Sequence, residues 1–448
     1  MVEYTDVINT DVVWLPQIPA HWQLQKIGAL FTERKTKVSD KDYAPLSVTK
    51  KGILPQLEHA AKSIDSDNRK LVKAGDFVIN SRSDRKGSCG VSKFDGSVSL
   101  INLVLTPRSG LNNDYVHYLL RNYKFSEEYY RNGRGIVADL WTTRYSEMRT
   151  ILLPVPPRAE QDQIVRFLDW KVSKANTLIN IKKKEIKSVE SLKHSAVSDA
   201  VTHGLTADIP MKYSGVKWLG DIPAHWTTIK LRQLLSSVSE KNHPELPLLS
   251  VVREQGVIVR DVDDKEANHN YIPDDLSGYK MVKKGQFVMN KMKAWQGSYG
   301  ISDYTGIVSP AYFIFDVAFD NLEYFHYAIR SKVYVNFFAQ ASDGIRVGQW
   351  DLQMDKMKEI PFIVPSADEQ IAIVEHIKKT LPKYDEAIEK IKAEVAVLEE
   401  YKAKLIADIV TGKIDVRNIT VPEYEHVDDI VDDDLENNEE TEIDGEEA

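Results

Sequence analysis

Two stretches of the 448-residue chain place cationic, amide and aromatic side chains at matched positions between β-like apolar runs. The first is Asn80-Ser81-Arg82-Ser83-Asp84-Arg85-Lys86-Gly87-Ser88-Cys89-Gly90. The second is Asn290-Lys291-Met292-Lys293-Ala294-Trp295-Gln296-Gly297-Ser298-Tyr299-Gly300. Arg82, Arg85 and Lys86 suit pairing with phosphates or with the guanine acceptors of a major groove. Lys291, Lys293 and Gln296 offer both kinds of contact, and Trp295 or Tyr299 suits packing on a sugar or a thymine methyl. Asn80/Asn290, Gly87/Gly297, Ser88/Ser298 and Gly90/Gly300 are common to both, as backbone geometry and local hydrogen bonding would require. The residues between them differ. Divergence inside a preserved frame is what two readers of different base sequences need, whereas a merely solvated basic face is the alternative reading.

A second divergent pair is Arg134-Gly135-Ile136-Val137-Ala138-Asp139-Leu140-Trp141 against Asp343-Gly344-Ile345-Arg346-Val347-Gly348-Gln349-Trp350. Arg134, Arg346 and Gln349 are its candidates for DNA contact. Trp141 and Trp350, which match between the copies, read as core.

Chemistry of other kinds finds no support. There is no Gly-x-x-x-x-Gly-Lys-Ser/Thr loop for a nucleotide. Val155-Pro156-Pro157-Arg158 shares only its prolines with the Asn-Pro-Pro-aromatic motif of adenine methyltransferases. No His/Cys cluster has zinc spacing. The one cysteine, Cys89, can form no internal disulfide. His21 and His225 each sit beside a tryptophan and read as packed residues. No catalytic or metal-binding residue is assigned, and no cofactor is expected in this chain.

The elements that must hold the polar stretches are also duplicated. Trp14-Leu15-Pro16-Gln17-Ile18-Pro19-Ala20-His21-Trp22 returns as Trp218-Leu219-Gly220-Asp221-Ile222-Pro223-Ala224-His225-Trp226, identical at seven of nine positions. Tyr115-Val116-His117-Tyr118 and Arg121 answer Tyr324-Phe325-His326-Tyr327 and Arg330, and Glu160-Gln161 answers Glu369-Gln370. Copies this long are duplicated domains rather than solenoid repeats. Each copy mixes short strands and Gly-rich turns, then ends in a helical part.

In the first helical part Leu168, Val172, Ala175, Ile179, Lys182, Ile186, Val189, Lys193 and Ala196 alternate at spacings of four and three. In the second, Ile377, Leu381, Tyr384, Ile388, Ile391, Val395, Leu398, Lys402 and Leu405 do the same. That spacing is a coiled-coil seam. Chain direction requires the two helices to pair antiparallel. At ~1.5 Å per residue, about 45 residues extend for roughly 65 Å, so the pair acts as a ruler. Pro382 is expected to kink the second helix or mark the start of its longer segment.

The fold expected is α+β: two similar mixed α/β domains joined by two long antiparallel helices in a pseudo-two-fold arrangement. The boundaries are 1–157 and 205–366 for the domains, 158–204 for a central spacer helix and 367–412 for a distal one. The net charge of −9 comes from the C-terminus, where 423–448 holds fourteen acidic residues and no Lys or Arg. Removing those fourteen from 67 acidic residues leaves 53 against 58 basic ones, so the body carries +5. Residues 413–448 therefore read as a disordered acidic tail. No apolar run is long enough to span a membrane, and no secretory signal opens the chain, so the cytoplasm is expected.

Over about residues 12–412 the sequence resembles the specificity subunits of type I restriction–modification enzymes. The motifs that carry it are Ile18-Pro19-x-x-Trp22 and Ile222-Pro223-x-x-Trp226, the stretch from Asn290 to Gly297 followed by Gly306-Ile307-Val308-Ser309-Pro310-Ala311-Tyr312, and Pro-x-x-x-Glu-Gln-x-x-Ile-Val from Pro156 and Pro365. Ala200-Val201-Thr202 and Ile409-Val410-Thr411-Gly412-Lys413 complete the set. The resemblance implies two target recognition domains, each reading half of a split asymmetric site in double-stranded DNA, with the helices setting the gap. It also implies two methylation subunits that use S-adenosylmethionine and two restriction subunits that use ATP and Mg²⁺. The competing readings are a protein scaffold that never reads bases, and a self-sufficient methyltransferase or nuclease, which the missing motifs argue against.

Overall fold

The computed structural model describes residues 2–56, 67–82, 85–108, 110–135, 141–217, 219–261, 272–273, 275–346 and 349–428, the side chains at 345, 346 and 349 excepted. The chain divides into two compact units. One comprises Met1–Lys183 with Ala393–Val431, and the other is built on Lys184–Lys392. Each unit contains one domain, half of one long helix and the opposite half of the other.

In the first unit Cys89–Val91, Phe77–Asn80, Asn102–Pro107 and Phe31–Glu33 form an antiparallel sheet in that spatial order. Strand side chains alternate between faces, and here both faces are covered. Phe77 and Ile79 join the main core, while Val78 packs in a smaller cluster with Leu46, Ile53, Val72, Val98 and Val104. The second unit repeats this with Tyr299–Ile301, Phe287–Asn290, Tyr312–Val317 and Leu235–Val238. There Phe287 and Met289 enter the main core and Val288 packs with Leu249, Val251, Val257, Val282, Val308 and Ile314. Two short helices cover each main core: Asn113–Arg121 and Tyr123–Arg131 in the first unit, Leu322–Ile329 and Lys332–Gln340 in the second. Asn112, Asn122 and Asn321 cap three of the four by accepting hydrogen bonds from first-turn N–H groups.

The long helices are Arg158–His203 and Ala367–Val410. In the first unit Asn176 accepts a hydrogen bond from Lys402 (3.0 Å) and Lys182 meets Glu394 (2.8 Å), so one helix descends as the other rises. In the second unit Lys193 pairs with Asp385, and Ala200 and Val201 share a core with Ile373, Val374 and Ile377. The pairing is antiparallel in both. Leu168, Ala175, Ile179, Ile377, Ile388, Ile391 and Leu405 are buried along the contact, and Val172, Ile186, Val189, Leu381, Val395 and Leu398 are half-buried. The second helix runs on through Pro382, which is exposed.

The motifs shared by the copies lock each domain to its helix. Trp22 Nε1 donates to Glu160 at 3.0 Å, and His21 Nε2 lies 2.8 Å from the same carboxylate. Trp226 and His225 treat Glu369 alike, at 3.0 and 2.9 Å. Partial burial would raise the Glu369 carboxyl, but hydrogen bonds from Ser366, Trp226 and His225 outweigh it and bring its pKa to about 2. Gln161 and Gln370 donate to Pro156 O and Pro365 O. The far end of the opposite helix meets the same tryptophan. A Cβ on Gly412 (φ +77°) would lie 2.3 Å from Pro19 and 3.0 Å from Trp22, and one on Gly204 (φ +78°) would lie 3.1 Å from Trp226. Trp218, in the second copy of the opening motif, lies outside the described residues.

One expectation needs correcting. The chain after 412 is not wholly a disordered acidic tail. Ile414–Asp415 pairs antiparallel with Val2–Glu3, Val416 is fully buried, and Ile419 and Val421 pack on the first core. Gln163 then donates to Val416 O and Ile419 O, Ser173 to Glu425 O, Asn176 to Val427 O and Asn180 to Asp428 O. Net charge concealed four apolar side chains and a row of polar anchors on the helix they follow. Residues 429–448 lie outside the described set.

Candidate nucleic-acid interface

The shared frame residues act as expected of turn formers. Asn80 and Asn290 each accept, through Oδ1, from the backbone N–H two residues on (Arg82 and Met292, both 3.0 Å). Their own N–H groups donate to Ser88 O and Ser298 O. Gly87 (φ +82°) and Gly297 (φ +97°) take the left-handed turn that closes each loop.

Each loop lies against the second divergent stretch of its own unit. In the first, Thr143 N–H donates to Ser81 O at 2.9 Å, while Thr142 bridges both Arg82 and Arg134. In the second, Ser342–Arg346 pairs with Gln349–Leu352, and Leu352 N–H donates to Lys291 O. Segments more than forty residues apart in sequence thus form one surface, twice.

The side chains on that surface differ. In the first unit Arg82, Arg85 and Lys86 are exposed. Lys86 meets Glu127 at 2.6 Å and sits 4.9 Å from the centre of the Tyr130 ring, which stacks on Trp141. Arg134 is 84% exposed and only 3.8 Å from Glu147. In the second unit Lys291 faces Asp351 at 3.5 Å, Lys293 and Gln296 are half-buried, and Trp295 stacks on Trp350 with ring centres 5.4 Å apart. Ser83, Asp84 and 136–140 lie outside the described residues, as do the side chains of Arg346 and Gln349.

Two sequence expectations fail on burial. Tyr299 is fully buried, with its ring 4.4 Å from Phe338 and against Phe287, so it cannot pack on DNA. It opens a strand whose alternation points it inward. The equivalent Cys89 is buried too, and burial pushes its thiol up to about 12, which removes it as a nucleophile. Conversely, Trp141 and Trp350 are not core: both are half-exposed and stand in the surface.

Sequence reasoning also passed over the buttress behind each loop. His117 Nδ1 lies 3.3 Å from Val91 N and Nε2 lies 2.7 Å from Arg121, whose guanidinium donates to Lys50 O. His326 and Arg330 repeat this with Ile301 N and with Arg253 O and Glu254 O. Burial, with the adjacent arginine's charge, lowers His117 to about 3 and His326 to about 4, so both rings are neutral at physiological pH. The signal was a histidine followed four residues later by an arginine in both copies.

No family model matches the chain. It is 23% identical over 433 residues to the type I restriction enzyme MjaVIII specificity subunit of Methanocaldococcus jannaschii, spanning 90% of this chain and 95% of that one. It is also 23% identical over 411 residues to the putative MjaX specificity subunit of the same organism, spanning 88% of each. The chain is thus similar to type I specificity subunits over nearly its whole length. A solved structure described as the structural basis underlying complex assembly and conformational transition of the type I R-M system superposes with a TM-score of 0.57 at 12% identity. It covers 89% of this chain and 99% of that chain, and shows the same fold. The paired divergent surfaces stand one on each of the two similar domains. No helix among the described residues is long and apolar enough to cross a membrane.

Proposed function

We propose that this chain reads a bipartite site in double-stranded DNA for a type I restriction–modification assembly and does no chemistry itself. One observation carries the reading: in each unit a preserved frame brings two divergent polar stretches onto one surface. Arg82, Arg85 and Arg134 in the first unit, and Lys293, Trp295 and Gln296 in the second, supply phosphate and base contacts. Arg346 and Gln349 are assigned the same role on sequence grounds. The long helices fix the gap between the half-sites and dock two methylation and two restriction subunits. S-adenosylmethionine belongs to the former, ATP and Mg²⁺ to the latter.

The test is to exchange the first loop's readers for the residues at matching positions of the second: Arg82→Met, Arg85→Trp and Lys86→Gln. Mapping methyladenine in cells that hold the chain and its methylation subunit should show one half of the recognised sequence altered and the other intact. Change in both halves, or in neither, would refute the assignment. Inserting four residues at Ser188 adds ~6 Å of helix, against ~3.4 Å per base-pair step. The gap should widen; an unchanged gap would count against the ruler.

A further inference from the structure

In the second unit the helix Lys332–Gln340 and the hairpin after it enclose an open cavity of about 480 Å³. Among the described residues it is lined by Asn336, Ala339, Gln340, Ser342 and Trp350. Asn336 and Gln340 belong to neither divergent stretch. They are exposed and lie one helical turn apart on the same face, and their side chains make no hydrogen bond among the described residues. Ser342 is already committed, donating to Phe338 O at 2.8 Å. Trp350 forms an apolar wall, braced by its stack on Trp295.

The matching place in the first unit is occupied. Tyr130, where the second unit has Ala339, fills it by stacking on Trp141. Glu127 is held by Lys86 and Arg131 by Glu128 at 2.6 Å. A separate space of about 20 Å³ lies on the loop side of these rings, against Asn80, Arg82 and Tyr129. The cavity in the second unit therefore follows from replacing one tyrosine by alanine, with two uncommitted amides left on its rim.

A carboxamide presents a donor and an acceptor side by side, which matches N7 and N6–H₂ of adenine in the major groove. Guanine offers two acceptors there and calls for a cation, and none of the described residues that line this cavity is cationic. The indole and the Ala339 methyl suit the methyl of the paired thymine. We propose that Asn336 and Gln340, backed by Trp350, are specificity determinants that read an A·T base pair in the half-site of the second unit. The inference rests on the base-reading function proposed above.

The experiment uses the full chain with its methylation subunit and a pool of duplexes randomised across both half-sites. Asn336→Ala and Gln340→Ala should each weaken the preference for A·T at one position of one half-site by about 5- to 100-fold, with the other half unchanged. Gln340→Arg should move that preference towards guanine. Both side chains are exposed, so melting should match the parent. Unaltered preferences, or a uniform loss of affinity across all sequences, would overturn the inference while leaving base reading intact. A parent chain without preference in either half would overturn both.

Discussion

The two domains share a frame and differ in how their surfaces are furnished. The first exposes cations: Arg82, Arg85 and Arg134 stand outward, and its aromatic pair closes the space beside them. The second withdraws charge. Lys291 faces Asp351, a 3-10 turn at Ala294–Gln296 tucks Ala294 into the core, and the indole of Trp350 takes its partner from the loop instead of the helix. One ion pair is even reversed. Arg134 faces Glu147 in the first domain, and Asp343 faces Lys356 (2.7 Å) at the matching positions of the second. Backbone geometry and reading chemistry are therefore separable, and a single chain carries both the reference and the variant.

The sharpest break in the comparison should come where the copies look most alike. Gly412→Ala forces a left-handed φ and a 2.3 Å approach to Pro19, whereas the same change at Gly204 meets a 3.1 Å contact. Thermal denaturation should show a loss on the order of 3 kcal/mol for the first and clearly less for the second. Equal losses would mean that the helix ends are not seated differently.

Acid should separate the domains next. Both buried histidines titrate below 6.5, so the unfolded chain takes up protons that the folded one refuses. Stability is complete above about pH 6.5 and falls as acid is added. The fall ends near pH 4 for His326 and near pH 3 for His117. Each histidine costs about 1.4 kcal/mol per pH unit inside its window. His117→Gln should flatten the acid limb of the first domain down to pH 3, and His326→Gln that of the second only to pH 4. An unchanged limb in either variant would refute a buried neutral ring.

Salt dependence should then follow the exposed cations. Arg82→Ala with Arg85→Ala should lower the slope of log affinity against log salt by about 0.9 for each phosphate contact removed. Gln296→Ala should leave that slope alone. The smallest effect belongs to the reversed ion pair. Exchanging it through Asp343→Arg with Lys356→Glu leaves the net charge unchanged and should change stability by less than about 0.5 kcal/mol in thermal denaturation.

Much of this was open to reading in the chain. The duplication, the spacing of the two helical seams and the turn chemistry of Asn80/Asn290 and Gly87/Gly297 are local patterns, and local patterns survive in sequence. Burial does not. Tyr299 reads as a DNA contact and Trp350 as core, and only the strand register shows that the first lies inside and the second in the surface. The packing of 413–428 was hidden for a similar reason, since its few apolar residues are diluted by charge and its anchors lie some 250 positions away. Asn336 and Gln340 are unremarkable polar positions on a helix until Ala339 is seen to leave space beside them.

The pairing of Val2–Glu3 with Ile414–Asp415 bears on how the protein is made. The first unit cannot finish folding until residue 416 has emerged, because Leu405, Ile409, Val410 and Val416 belong to its core. At about 5–20 residues per second the wait is roughly ten to fifty seconds. During that interval the later domain, whose described parts lie within 184–392, completes first. Nascent chains stopped short of residue 400 should therefore be protease-resistant in their second half and sensitive in their first.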